Sequence, residues 1–261
     1  MRLIDSHAHL TGEALFPQVS SLLERAKEAE IEAIVNICTT SEELERGKAL
    51  RQEHPWIYNV AATTPHDVEK LGEKDFEAIA HAAKKGELVA VGETGLDYYY
   101  YVETAPLQQE FLRRYLRLAL ECDLPVVIHC RDAFADFFRI LDEEYVVDGK
   151  HAPGVLHCFT GNVEEAKEVL DRGWYLSLSG IVTFKKSIEL QEVGRLVPLE
   201  QLLIETDSPY LSPDPYRGKQ NEPAYLRSTA QFLADLRQIP IEKIAKQTRD
   251  NAGTLFRLPK I

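Results

Sequence analysis

Two histidines one residue apart, His7 and His9, close a short apolar run that begins at Leu3. On a strand, residues two apart share a face, so this pair would offer two imidazoles side by side to a divalent cation. The spacing also occurs in ordinary turns, so the reading needs partners further along the chain. Candidates exist: Glu93, His129, His157, Glu205 and Asp207 each stand at the carboxyl end of a short apolar run. The pool is four imidazoles and at least two carboxylates, more than one tetrahedral ion accepts. It suits two divalent cations bridged by a carboxylate and a water or hydroxide. Glu93 is the best bridge, because its run lies between that of His7 and His9 and those of His129 and His157. Imidazole-rich sites favour Zn, Mn, Co or Ni over Mg on affinity, although availability can reverse that order. The identity of the two cations is therefore open among Zn, Mn, Mg, Co and Ni.

The runs that carry these residues read as strands at 3–9, 33–38, 57–63, 88–94, 125–130, 154–159, 175–180 and 202–207. Helical spacing fills the intervals at 16–29, from Ser41 as N-cap, at 67–85 ending at Gly86, and at 106–122, 133–141, 163–172 and 187–196. A Pro-rich loop at 209–221 precedes helices from Glu222 and Ile241. Eight strands alternating with helices over 261 residues predict an α/β fold, a single (β/α)8 TIM barrel over 1–261, for which ~250 residues is typical. The competing doubly wound sheet would more often show a Gly-rich nucleotide loop, and neither GxGxxG nor GxxxxGK[ST] occurs. In a barrel the chemistry lies at the carboxyl ends of the strands. That brings the candidate ligands to one mouth, while His54, His66, His81 and His151 fall on helices and loops.

Composition narrows the partners. A net charge of −12 argues against a protein that grips long duplex, which needs a basic patch. No apolar run approaches the ~18 residues that span a bilayer, so no membrane role is expected. Met1-Arg2 leads directly into the first strand, leaving no apolar signal region, and the expected location is cytoplasmic. Cys38, Cys122, Cys130 and Cys158 show no Cys-x-x-Cys spacing and read as reduced thiols. Cys130 and Cys158 each follow a candidate histidine, and strand alternation would turn them to the opposite face, away from any ligand role. No obligate protein partner is evident.

The order of these blocks resembles that of the TatD family of metal-dependent hydrolases (TatD DNase-like, in the amidohydrolase superfamily of barrels). The likeness runs nearly end to end. It includes Asp5-Ser-His-Ala-His-Leu10, Gly92-Glu-Thr-Gly-Leu-Asp97, Pro125-Val-Val-Ile-His-Cys-Arg-Asp-Ala133, His157-Cys-Phe-Thr-Gly161, Glu205-Thr-Asp-Ser-Pro-Tyr-Leu211 and Arg217-Gly-Lys-Gln-Asn-Glu-Pro223. The resemblance implies one metal held by His7, His9, Glu93 and Asp207 and a second by Glu93, His129 and His157. It also implies metal-assisted hydrolysis of phosphodiester bonds in DNA. Two departures stand out. Thr64 replaces a histidine that the family often places near the substrate, and an arginine common in the tyrosine-rich loop is missing from 98–101. Both remove positive charge from the mouth, which favours a short single-stranded DNA or a small phosphodiester as substrate.

Asp207 is expected to serve both as ligand and as general base, and Glu205 as a deeper hydrogen-bond partner that orients a ligand. Arg131 can bind a phosphate oxygen or pair with a nearby acid. Arg217, Lys219 and Asn221 can cover the mouth as a substrate loop, with Asn221 also a candidate helix N-cap ahead of Pro223. The tyrosines at 98–101 can stack bases or pack as rim aromatics. The leading reading is a metal-dependent phosphodiesterase or deoxyribonuclease. An amidohydrolase acting on a small amide, lactone or aminoacyl ester is the alternative, and a barrel that binds metal without turnover is the third.

Overall fold

The computed structural model describes residues 1–145 and 152–259; His151 lies outside them. Eight strands lie in chain order in one sheet: β1 (Leu3–Ala8), β2 (Ile31–Cys38), β3 (Ile57–Ala61), β4 (Ala90–Asp97), β5 (Val126–Arg131), β6 (Val155–Leu156), β7 (Tyr175–Leu178) and β8 (Leu202–Ile204). Every neighbouring pair is parallel. The sheet curls until its two edges meet. Asp207 N donates to His7 O at 2.9 Å and His9 N to Ser208 O at 2.9 Å, which nearly closes the predicted barrel.

Parallel strands buried on both faces must be apolar on both, and these are. Ile34, Ile57, Val91 and Ile128 pack outward against the helices, while Val35, Val60, Val127 and Leu203 form a second cluster. Leu255 at the end of the last helix and Phe256 just after it join that second cluster at the strand starts, with Ile4, Ala33, Ala90 and Val155. The covering helices are α1 (Val19–Glu28), α2 (Ser41–Glu53), α3 (Val68–Lys84), α4 (Ala105–Cys122), α5 (Phe134–Glu144), α6 (Val163–Asp171), α7 (Ile188–Leu196), α8 (Leu226–Arg237) and α9 (Ile241–Leu255). Each buries one stripe. In α4 the stripe is Phe111, Leu112, Tyr115, Leu116 and Ala119, the i, i+1, i+4, i+5, i+8 spacing of an amphipathic helix.

Some boundaries differ from expectation. Thr40, not Ser41, caps α2: its backbone is extended and its side chain accepts from Glu43 N at 3.1 Å. Ser41 is already helical and donates to Asp75 Oδ1 at 2.7 Å. The sixth and eighth strands are shorter than predicted, because the chain turns through positive φ at Cys158 (41°) and Asp207 (56°). α8 starts at Leu226 after a 3-10 turn over Pro223–Tyr225, not at Glu222.

Candidate metal centre

The site begins with a defect in the ladder. Gly92 pairs with Val127 and Thr94 with Ile128, so Glu93 is an extra residue with no counterpart on β5. Such a bulge re-aims a side chain, and Glu93 is turned toward the ligand histidines. The glycines on either side are backbone requirements. A Cβ on Gly95, at φ 148°, would stand 1.8 Å from His129 O. β1 has a similar shift: Asp5 pairs with Ile34 and Ala8 with Asn36, and His7 sits inside it.

Four ligand atoms then converge. His7 Nε2 lies 3.3 Å from His9 Nε2 and 3.3 Å from Glu93 Oε2. Asp207 Oδ1 is 3.7 Å from His7 Nε2 and 3.4 Å from His9 Nε2, and His9 Nε2 is 3.7 Å from Glu93 Oε2. A tetrahedron of ligands around zinc at ordinary bond lengths has edges of about 3.3–3.4 Å, close to these separations, and His7, His9 and Asp207 form a group that could hold one cation. The other oxygen of Glu93 serves a second set. Oε1 is 3.2 Å from His129 Nδ1 and 3.0 Å from His157 Nε2. The His7 and His157 rings stack face to face at 3.8 Å, which carries one set into the next.

Buried acids hold the candidate ligand rings from behind. Asp97 Oδ2 faces His129 Nε2 at 3.0 Å and His66 Nε2 at 2.9 Å, while Oδ1 accepts from Tyr99 N and Tyr100 N. Glu205 Oε1 accepts from Cys158 N at 2.6 Å and lies 3.4 Å from His157 Nδ1. It is fully buried. Burial pushes Glu93 upward, but His157, His129 and His7 outweigh it and hold the carboxylate well below its usual range. Burial likewise opposes ionisation of Asp207, and His9 and His7 bring its net shift downward. Both carboxyl groups are thereby biased toward the anion by the surrounding imidazoles. Burial opposes the charged form of His157, and Glu93 and Glu205 still raise it well above the ordinary imidazole value.

The mouth is a cavity of about 750 Å³, lined by His9, Glu93, His129, His157 and Asp207 together with Arg131 and Tyr100. Arg131 lies over the rings of Tyr99 and Tyr100, at 4.0 and 4.8 Å from their centroids. Arg217 and Lys219 are exposed but do not line this cavity; Arg217 packs over Phe184. Asn221 is fully buried and neither covers the mouth nor caps a helix. Its amide nitrogen donates to Thr206 O and Tyr210 O, and its oxygen accepts from Glu222 N, so it ties the loop after β8 to itself. His66 sits in a loop, as expected, and that loop reaches the mouth, where its ring meets Asp97. Cys130 packs in the outer core with Ile128, as strand alternation requires. One further expectation fails: Cys158 lines the cavity, because it lies past the end of β6, where alternation no longer holds. Neither thiol joins a converging ligand group among the described residues. Asp97 itself was missed as an orienting residue, since nothing in its own spacing distinguishes it.

An eight-stranded parallel barrel with imidazoles and carboxylates gathered at the strand ends is the architecture of the metal-dependent hydrolases. The sequence matches the family described as TatD related DNase over residues 4–257, and the chain belongs to that family. It is 41% identical over 261 residues to the "uncharacterized metal-dependent hydrolase YcfH" of Escherichia coli (strain K12), covering 99% of this chain and 97% of the relative. It is 35% identical over 260 residues to the 3'-5' ssDNA/RNA exonuclease TatD of Citrobacter rodentium, covering 97% of each. The crystal structure of YJJV, a TatD homologue from Escherichia coli K12, matches with a TM-score of 0.92 at 28% identity, over 99% of both chains. The protein is a metal-dependent hydrolase. No helix among the described residues is long and apolar enough to cross a membrane.

Proposed function

We propose that the chain hydrolyses phosphodiester bonds in short single-stranded nucleic acid, using two divalent cations. His7, His9, Glu93 and Asp207 would hold one, and Glu93, His129 and His157 the other. The observation that carries this reading is the division of Glu93, with one oxygen facing His7 and His9 and the other facing His129 and His157. Cations held there would supply Lewis-acid polarisation of a phosphoryl oxygen and lower the pKa of a bound water. Asp207 accepts the proton of the attacking water as its oxygen bonds to phosphorus, and returns a proton to the departing alkoxide as the ester P–O bond breaks. Arg131, braced on Tyr99 and Tyr100, binds a non-bridging phosphate oxygen. The name of the Citrobacter rodentium relative, an exonuclease of single-stranded DNA and RNA, supports the same substrate class.

The test is steady-state kinetics on a phosphodiester, an amide and a lactone, before and after chelation. Phosphodiester turnover should vanish on chelation and return with added divalent metal. Arg131→Ala should lower its kcat/KM by roughly tenfold or more, the usual worth of a hydrogen bond to a charged group. Turnover of only the neutral substrates, indifferent to Arg131→Ala, would replace this reading with the amidohydrolase alternative.

A further inference from the structure

The cavity wall is divided by charge. Beyond the metal centre, the side formed by the loops and helix that follow β1, β2 and β3 carries three carboxylates, Glu13, Glu43 and Asp67. Arg131, at the end of β5, is the one lysine or arginine among the described lining residues. The side after β7 and β8 is largely apolar, with Ile181, Pro209, Tyr210 and Leu211, and Tyr210 is 59% exposed. Glu43 is fixed by Thr39, whose N and Oγ1 donate to it at 2.8 and 3.0 Å. Asp67 accepts from Thr64 Oγ1 at 3.4 Å. None of the three acids has a lysine or arginine partner among the described residues, so their charge is left facing the cavity.

We infer that this acidic wall selects the end of the substrate: it accepts a terminal nucleoside that ends in a hydroxyl and rejects one that ends in a phosphate monoester. The inference rests on the phosphodiesterase reading above. A terminal phosphate carries about −1.5 to −2 charges at neutral pH. Placed against uncompensated carboxylates in a partly desolvated cleft, it is repelled. A hydroxyl can donate to the same carboxylates. With the scissile phosphate between Arg131 and the metal centre, the rest of the strand leaves past Arg131 and the tyrosines, and a single terminal nucleoside meets the acids. Repulsion of this kind is screened by salt, so raised ionic strength favours the phosphate-ended substrate. That is the opposite sign to ordinary phosphate-backbone binding.

The experiment compares kcat/KM for one short oligonucleotide prepared with hydroxyls at both ends, with a 3′ phosphate, and with a 5′ phosphate. The metal-loaded wild type and Glu13→Gln/Asp67→Asn are assayed; Glu43 is left intact because it holds Thr39. Phosphate at one end should slow the wild type by about tenfold or more, and phosphate at the other should have little effect. The hydroxyl-to-phosphate ratio at the sensitive end should fall toward one in the double variant and at raised salt. Equal rates with hydroxyl and phosphate at both ends, equal slowing from both ends, or a ratio unmoved by the double variant would overturn the inference while leaving phosphodiester hydrolysis standing. Failure to cut even the hydroxyl-ended strand would instead defeat the underlying reading.

Discussion

Asp97 has no spare capacity. Both its oxygens are engaged, one with two backbone amides and the other between the rings of His129 and His66. Its charge fixes His129 with Nε2 toward the acid and Nδ1 toward Glu93. Asp97→Asn retains the shape and loses the charge, and removing such a partner typically costs 10–100-fold in metal affinity. Metal titration of Asp97→Asn should show about that loss at the His129 set, with the circular dichroism spectrum unchanged. Glu93 is different in kind because it faces both sets. Glu93→Ala should lose both metals together, whereas His129→Ala should mainly weaken one site. Elemental analysis separates them, and two metals retained in Glu93→Ala would exclude the bridging role.

At the scale of the element, the site depends on where strands stop being regular. Glu93 and His7 sit in register shifts, and His157 and Asp207 lie just past strands that have ended. Gly95 makes one of these irregularities possible, since any Cβ there meets the backbone of His129. Gly95→Ala should force β4 from β5, destabilise the fold by at least about 3 kcal/mol, and lower metal content in whatever folds. Thermal melting and elemental analysis read both effects. These details explain what the sequence revealed. The barrel was legible because strand and helix periodicities alternate eight times, and the ligand residues because their types recur where apolar runs stop. The bulges were not legible, since an extra residue in one strand is defined only by its partner. Cys158 lies past the end of its strand, where alternation no longer sets its face, and His66 stands apart from the strand-end pattern. Arg217, Lys219 and Asn221 were grouped by nearness in sequence, but Asn221 is spent on Thr206 and Tyr210.

For the whole molecule, the candidate metal centre is a concentration of buried ionisable groups, and a cation bound there would stabilise the fold that presents them. A ligand at 100 times its dissociation constant adds about 2.7 kcal/mol, which for a chain of this size corresponds to roughly 5–10 °C in Tm. Thermal unfolding in chelator and in excess Zn or Mn should differ by about that amount, and identical melting curves would mean that no cation is held by the folded state. The barrel seam bears on how such a centre is made. Asp5 bonds to Thr206 across 201 positions of chain, Asp207 N to His7 O, and the final helix packs on β1 and β8. During synthesis, His7 and His9 emerge 200 and 198 positions ahead of Asp207, which must follow before it can meet them. These candidate ligands come together in the same event that joins the two edges of the sheet, so assembly of the centre reports closure of the barrel.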